Sequence, residues 1–118
     1  MDEREMQAYG RLPDPLICYR GCGFANIVGA SWTLDRRVAN AFPFKQRFRC
    51  SEPLLVTGTV RKHKVLAVKL DREEAEIISF SVRRLRVEPA DQSDAEAYHA
   101  ESHRKQMAEL ERYRGVTS

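Results

Sequence analysis

The sequence predicts one α+β domain in which several short antiparallel strands are followed by a long C-terminal helix. Three short runs rich in Val, Ile, Leu and Thr, separated by polar turns, are typical of neighbouring strands and lie at Leu54–Val60, Lys64–Leu70 and Glu76–Val82. The stretch from Asp94 to Arg114 contains no glycine or proline, which predicts a helix of about five turns. A chain of 118 residues needs only one hydrophobic core.

The chain divides into three parts on this basis. Residues 1–15 form a polar N-terminal segment with a helical turn that Pro13 and Pro15 close. Residues 16–90 form the core, and residues 91–118 form the C-terminal helix. Ser93 is followed three residues later by Glu96, a capping-box pattern that places the helix start at Ser93.

The first half of the core is built around one strand and one short helix. Leu16–Arg20 is mostly apolar and predicts a central strand, followed by a glycine-containing loop over residues 21–30. Thr33 or Asp35 caps a short helix, because either side chain can accept from a free amide in the next turn. We expect this helix to end at Pro43.

The remaining core segments are a loop and an edge strand. Phe44–Pro53 is polar and basic and predicts a loop. Arg84–Glu88 alternates basic and apolar residues and predicts an edge strand that Pro89 stops.

Composition restricts the setting and the partners. No apolar run is long enough to cross a bilayer, and the acidic N-terminus lacks the features of a secretory signal, so we expect a soluble cytoplasmic protein that does not enter membranes. Residues 34–88 carry thirteen basic and seven acidic side chains, whereas both ends of the chain are acidic. A basic middle attracts phosphates, either of a nucleotide cofactor or of nucleic acid.

Several familiar sites do not fit the sequence. Three cysteines, Cys18, Cys22 and Cys50, are an odd number without paired metal-binding spacing, so we expect free thiols and no metal. The glycines after Arg20 lack the spacing of a dinucleotide fingerprint, and no Walker sequence occurs. His99 and His103 lie one helical turn apart, but no third metal ligand is evident, and we expect both on the helix surface.

The stretch from Ile17 to Thr33 holds the candidate site. Arg20 comes at the end of the first strand before Gly21, and Gly21, Gly23 and Gly29 allow the backbone conformations that are closed to other residues. Ser31, Trp32 and Thr33 then open the next element, which we expect to be the short helix. Farther along the chain, Glu74 and Glu76 precede an apolar strand.

These residues, in this order, resemble the arginine, serine and glutamate pattern of ADP-ribosyltransferases, and in particular small bacterial and phage members of that superfamily. The resemblance covers roughly residues 16–82. It implies two small, mostly antiparallel sheets around a cleft that holds NAD, which is the substrate. It also implies transfer of ADP-ribose to a protein, to nucleic acid or to water.

The resemblance also implies roles for individual residues. Arg20 and Gly21 help to hold the dinucleotide, and the motif Ser31, Trp32 and Thr33 supports the nicotinamide ribose. Glu76 hydrogen-bonds that ribose and stabilises the positive charge that develops as nicotinamide leaves. Glu74 activates the acceptor, as the first acid does in arginine-modifying members.

A different function is open on the same scaffold. The basic clusters of the middle segment, with Phe44 and Phe48 interleaved, suit a non-catalytic protein that binds nucleic acid. The C-terminal helix suits a protein partner. Nucleic acid is therefore a candidate partner under both hypotheses.

Overall fold

The computed structural model describes residues 2–44, 52–71 and 74–117. The helices are α1 (Glu3–Gly10), α2 (Arg36–Ala41) and α3 (Gln92–Thr117). The strands, in chain order from β1 to β6, are Leu16–Cys22, Ser31–Thr33, Leu54–Val60, Ala67–Asp71, Glu74–Ile78 and Arg83–Pro89. The α+β class and the C-terminal helix predicted from the sequence are confirmed.

The six strands form one antiparallel sheet with the order β4-β5-β2-β1-β3-β6. Two small sheets were expected, and that arrangement is not confirmed. The three-residue strand β2 pairs on one side with β5 and on the other with β1, which joins the two halves of the sheet. The join is narrow, because a single register pair, Tyr19 with Thr33, connects β1 to β2.

One face of the sheet carries the main hydrophobic core. Alternating strand residues supply its buried side chains, including Leu16, Cys18, Trp32, Val56, Val68 and Ile77. Helix α1 covers this face, with Ala8 and Tyr9 packed against the core and Leu12 buried just after the helix. The side chain of Asp2 caps α1 by accepting from the amide of Glu5 at 2.8 Å.

Helix α2 lies against the opposite face near the end of β1. A Cβ atom added to Gly21 would lie 1.9 Å from the carbonyl oxygen of Ala39, so a glycine is required for this close approach. The side chain of Asp35 caps α2 by accepting from the amide of Arg37 at 2.9 Å, which confirms one of the two predicted caps.

Helix α3 packs on α2 through its first turns. The buried side chain of Asn40 accepts from the amide of Asp91 at 2.7 Å and donates to the carbonyl of Asp91 at 2.9 Å. Asp91 in turn caps α3 by accepting from the amide of Asp94 at 3.0 Å. The predicted start at Ser93 is therefore wrong, because Asn40 holds Asp91 as the cap two residues earlier.

Several predicted boundaries also differ. The third strand lies at Leu54–Val60 as expected, but the fourth begins at Ala67 because Lys62–Lys64 form a 3-10 turn. The fifth ends at Ile78 rather than Val82, and the Ser79 hydroxyl just after it donates to the carbonyl of Lys64 at 2.8 Å. Most of the predicted loop Phe44–Pro53, and Cys50 within it, lies outside the described residues.

Candidate functional site

The candidate site lies where the two halves of the sheet separate. Beyond the pair of Tyr19 with Thr33, no further register pair joins β1 to β2 in the part of the chain that the structure describes. The chain leaves β1 after Cys22, makes a 3-10 turn at Phe24–Asn26, and returns to β2 at Ser31. Ser31–Thr33 was expected to open a helix, but these residues form a strand because neighbours on both sides supply hydrogen bonds.

The guanidinium group of Arg20 bridges this separation. Its Nη1 donates to the carbonyl oxygen of Ser31 at 3.0 Å, and its Nη2 donates to the carbonyl oxygen of Asn26 at 3.1 Å. One side chain thus holds both the start of β2 and the loop that leads to it. The Nε atom of Arg20 is buried and has no hydrogen-bond partner among the described residues.

Gly29 makes room for this arrangement. A Cβ atom added there would lie 2.4 Å from both Cζ and Nη2 of Arg20. The described glycines have no positive φ angle, so the expectation that this loop uses backbone conformations closed to other residues is wrong. Gly21 and Gly29 are needed because another part of the chain approaches their backbone closely.

The hydroxyl of Ser31 donates to Oε1 of Glu76 in a short hydrogen bond. Ser31 and Glu76 are 45 positions apart in the chain and meet because β2 pairs with β5. Thr33 is the direct cross-strand partner of Glu76, so both side chains lie on the same face of the sheet. Oε2 of Glu76 has no hydrogen-bond partner among the described residues, and the side chain is partly buried.

The other predicted site residues lie in different surroundings. Trp32 is buried in the main core, on the face opposite Thr33, and its Nε1 donates to the carbonyl of Gly29 at 3.2 Å. Gly21 packs against α2. The hydroxyl of Thr33 accepts from the amide of Asp35 at 3.1 Å, which connects β2 to the start of α2. These positions suit support of the site better than direct contact with a ligand.

Glu74 is the first residue of β5, and its backbone pairs with Asp71. Its side chain lies outside the described parts of the structure. The proposed role of Glu74 therefore stays a prediction.

Exposed apolar side chains border the site. Phe24 and Val28, on the loop that Arg20 holds, are 75% and 81% exposed. Phe80, just after β5, is 82% exposed, and the backbone amide of its neighbour Ser79 donates a hydrogen bond to the carbonyl of Ala30 in this loop at 3.0 Å. The rim of the site is therefore apolar, whereas its floor carries hydroxyl and carboxylate groups.

The thiols and histidines lie away from this floor. Cys18 and Cys22 are buried, and burial raises the pKa of the Cys18 thiol to about 12. His99 is partly buried and His103 is exposed on α3. Among the described residues, no group of three His, Cys, Asp or Glu side chains could hold a metal ion.

Two residues of the site were not predicted from the sequence. Gly29 was noted only for its backbone freedom, and its contact with the Arg20 side chain requires the folded loop. Asn26 contributes a backbone carbonyl, which no side-chain pattern can identify. To predict either residue as part of the site, one would have to know that the loop folds back towards the end of β1.

Within the described residues, no helix is long and apolar enough to span a bilayer. No family model, curated protein or solved structure matches the chain.

Proposed function

We propose that this protein is an NAD-dependent ADP-ribosyltransferase that transfers ADP-ribose to a protein, to nucleic acid or to water. The observation that carries the proposal is the chain of hydrogen bonds that links Arg20, Ser31 and Glu76, the three residues on which the resemblance rests. Arg20 holds the backbone of Ser31, and the Ser31 hydroxyl holds the Glu76 carboxylate. Such a chain of contacts fixes a negative charge at one point of an open, polar floor.

The reaction needs a fixed carboxylate. When the bond between nicotinamide and the ribose C1′ breaks, the electron pair leaves with nicotinamide and positive charge develops on the ribose. A carboxylate that is already oriented stabilises this charge without having to reorganise during the step. Glu76 suits this role because Ser31 occupies Oε1 and leaves Oε2 for the ribose.

Arg20 has a positioning role in this proposal. Its two Nη atoms are already engaged with the carbonyls of Ser31 and Asn26, so its fork is used within the protein rather than on a phosphate. This differs from the direct grip on the dinucleotide that the resemblance implies. Loss of Arg20 should therefore misplace Ser31 and Glu76 as well as weaken NAD binding.

The acceptor completes the reaction. Its nucleophilic atom forms a bond to C1′ and loses a proton, and Glu74 is the proposed base for that proton. A cytoplasmic location, where NAD is available, belongs to the same proposal.

Nicotinamide release from NAD tests the proposal. We expect release by the wild type, loss of release in Glu76→Gln, and unchanged release in Glu109→Gln, which makes the same chemical change on an exposed part of α3. Circular dichroism and thermal unfolding establish that each variant is folded. Equal release from wild type and Glu76→Gln would refute the role of Glu76.

A second candidate is a non-catalytic binding protein on the same scaffold. The exposed arginines of β6 favour it, since strand residues Arg83, Arg84 and Arg86 all face solvent. Binding of nucleic acid or of a protein without nicotinamide release, even when candidate acceptors are present, would favour this second candidate.

A further inference from the structure

A single row of cross-strand partners crosses the whole sheet and contains the proposed catalytic glutamate. The row runs through all six strands from β4 to β6 and consists of Lys69, Glu76, Thr33, Tyr19, Thr57 and Arg86. Direct cross-strand partners share one face of a sheet, so these side chains form one line, which we call the polar row. With strands about 4.8 Å apart, the row extends for about 19 Å from Glu76 to Arg86.

The polar row has a basic residue at each end and hydroxyl groups between them. Lys69 and Arg86 are exposed, and the side chain of Arg86 is 71% exposed despite a 3.6 Å contact with Glu88. Tyr19, Thr33 and Thr57 are partly buried and form the floor between the ends. The polar row therefore lies beside α2, which covers the neighbouring end of this face at Gly21, and its two ends are exposed.

The neighbouring row extends this surface with another arginine. Arg83 is the cross-strand partner of Thr59, and Thr59 is the partner of Ile17, so all three lie on the same face as the polar row. Ile17 is 45% exposed. Arg83 is exposed and has no ion-pair partner within residues 2–44, 52–71 and 74–117, so its charge is available to a ligand.

We propose that a single-stranded nucleic acid binds across the polar row and is the acceptor for the ADP-ribose. The identification of the acceptor rests on the proposed function, whereas the binding surface does not. Arginine side chains grip phosphate oxygens in a fork, and an aromatic ring at the centre of an open sheet offers a stacking surface for unpaired bases. Arg83 and Arg86 supply the first feature, and Tyr19 supplies the second.

The geometry also connects this surface to the reaction. A strand of two or three unpaired bases fits across a sheet of this width. Its phosphates lie at Arg83 and Arg86, and its other end reaches Glu76, four strands away along the same row. A base or a sugar hydroxyl of the bound strand therefore lies near the ribose C1′ of NAD, whose positive charge Glu76 stabilises during the reaction.

The test measures binding of a fluorescent single-stranded oligonucleotide of about 12 nucleotides by anisotropy, over a series of salt concentrations. Three basic contacts, at Arg83, Arg86 and Lys69, predict a slope of log K against log salt of about −2 for the wild type, because each phosphate contact on a single strand contributes about −0.7. The double variant Arg83→Gln/Arg86→Gln should bind about tenfold more weakly at low salt, with a slope near −0.7. The control Arg104→Gln/Arg112→Gln removes the same charge from exposed positions of α3 and should bind like the wild type.

Variants of Tyr19 distinguish the contribution of base stacking to binding from the contribution of charge. Tyr19→Phe keeps the ring and should retain binding, whereas Tyr19→Leu should weaken binding without changing the salt slope. The same sequence as a duplex should bind more weakly than the single strand, because its bases are not available for stacking.

Three results would overturn the proposal. The first is the absence of salt-dependent oligonucleotide binding, and the second is an equal loss of binding affinity in the two double variants. The third is that polyglutamate competes as effectively as the unlabelled oligonucleotide. Oligonucleotide binding without nicotinamide release would retain the surface and reject the enzyme. Nicotinamide release without oligonucleotide binding would retain the enzyme and reject the binding surface.

Discussion

Replacement of Gly29 by alanine tests how the site is held together. The added Cβ would lie 2.4 Å from Cζ and Nη2 of Arg20 and 2.8 Å from Nη1. Ordinary van der Waals contact requires the guanidinium to move away by about 1 Å. That displacement takes its hydrogen bonds to Ser31 and Asn26, now 3.0 and 3.1 Å long, beyond bonding distance.

The expected loss of stability follows from these two bonds. Hydrogen bonds to charged groups each contribute about 1.5–3 kcal/mol, and water replaces part of this at a partly exposed site, so we expect Gly29→Ala to lose about 2 kcal/mol. Gly10→Ala is the matched control. No atom lies within 4 Å of the Cβ position at Gly10, and neither glycine has a positive φ, so this helical substitution should gain about 0.5–1 kcal/mol.

Urea unfolding of the two variants, each also made in an Arg20→Ala background, measures the coupling. Without the guanidinium, Gly29→Ala should lose less than about 0.5 kcal/mol, because the side chain that it displaces is gone. An equal loss in both backgrounds would refute the contact between Gly29 and Arg20. So would a gain in stability for Gly29→Ala similar to that for Gly10→Ala.

Three further predictions concern other parts of the fold. Asn40→Ala should destabilise the protein by about 1–3 kcal/mol in urea unfolding, because it removes two partly buried hydrogen bonds and leaves the amide of Asp91 without its Asn40 partner, while the carbonyl of Asp91 keeps the amide of Ala95; an unchanged stability would contradict this. The hydrogen bond from Arg61 lowers the pKa of Asp14 from 3.8 to about 2, so stability that is present above pH 3.8 should be lost as the pH falls towards 2, and Asp14→Asn should flatten this part of the profile; an unchanged profile would count against the ion pair. Because burial raises the pKa of Cys18 to about 12, its thiol should resist iodoacetamide at pH 8 in the native state and react after unfolding, as peptide mass spectrometry can show; rapid native labelling would contradict its burial.

The elements with a strong local pattern were predictable from the sequence. Leu54–Val60 was located correctly because a dense run of β-branched and apolar residues is bounded by Pro53 and Arg61. The long C-terminal helix was predicted because it lacks helix breakers, although its start was misplaced. That error has a tertiary cause, since the buried side chain of Asn40 holds Asp91 at the cap position.

The short strand Ser31–Thr33 could not be predicted in the same way. Three residues are too few to show a periodicity, and this strand exists because β1 and β5 pair with it from distant parts of the sequence. Its position explains why one sheet is present where two were expected. Among the residues that the structure describes, a single register pair, Tyr19 with Thr33, connects the two halves.

The candidate site was predictable as a set of residues but not as a geometry. The order of Arg20, Ser31 and Glu76 suggested that they belong together, and the structure places them in one chain of contacts. Which atoms of Arg20 are engaged could not be predicted, because both acceptors are backbone carbonyls of a folded loop. The polar row could not be predicted from the sequence either, since strand register brings Lys69 and Tyr19 next to the site.

An NMR titration with NAD tests the central claim most directly, because it observes binding at the cluster of Arg20, Ser31 and Glu76 without requiring an acceptor. The account predicts that the amide resonances of these residues shift and saturate as NAD is added. Resonances from His103 to Arg112, on the exposed part of α3, should remain in place. Ser31→Ala should weaken the binding while the variant stays folded. Unmoved resonances at the cluster in the presence of millimolar NAD would contradict the account.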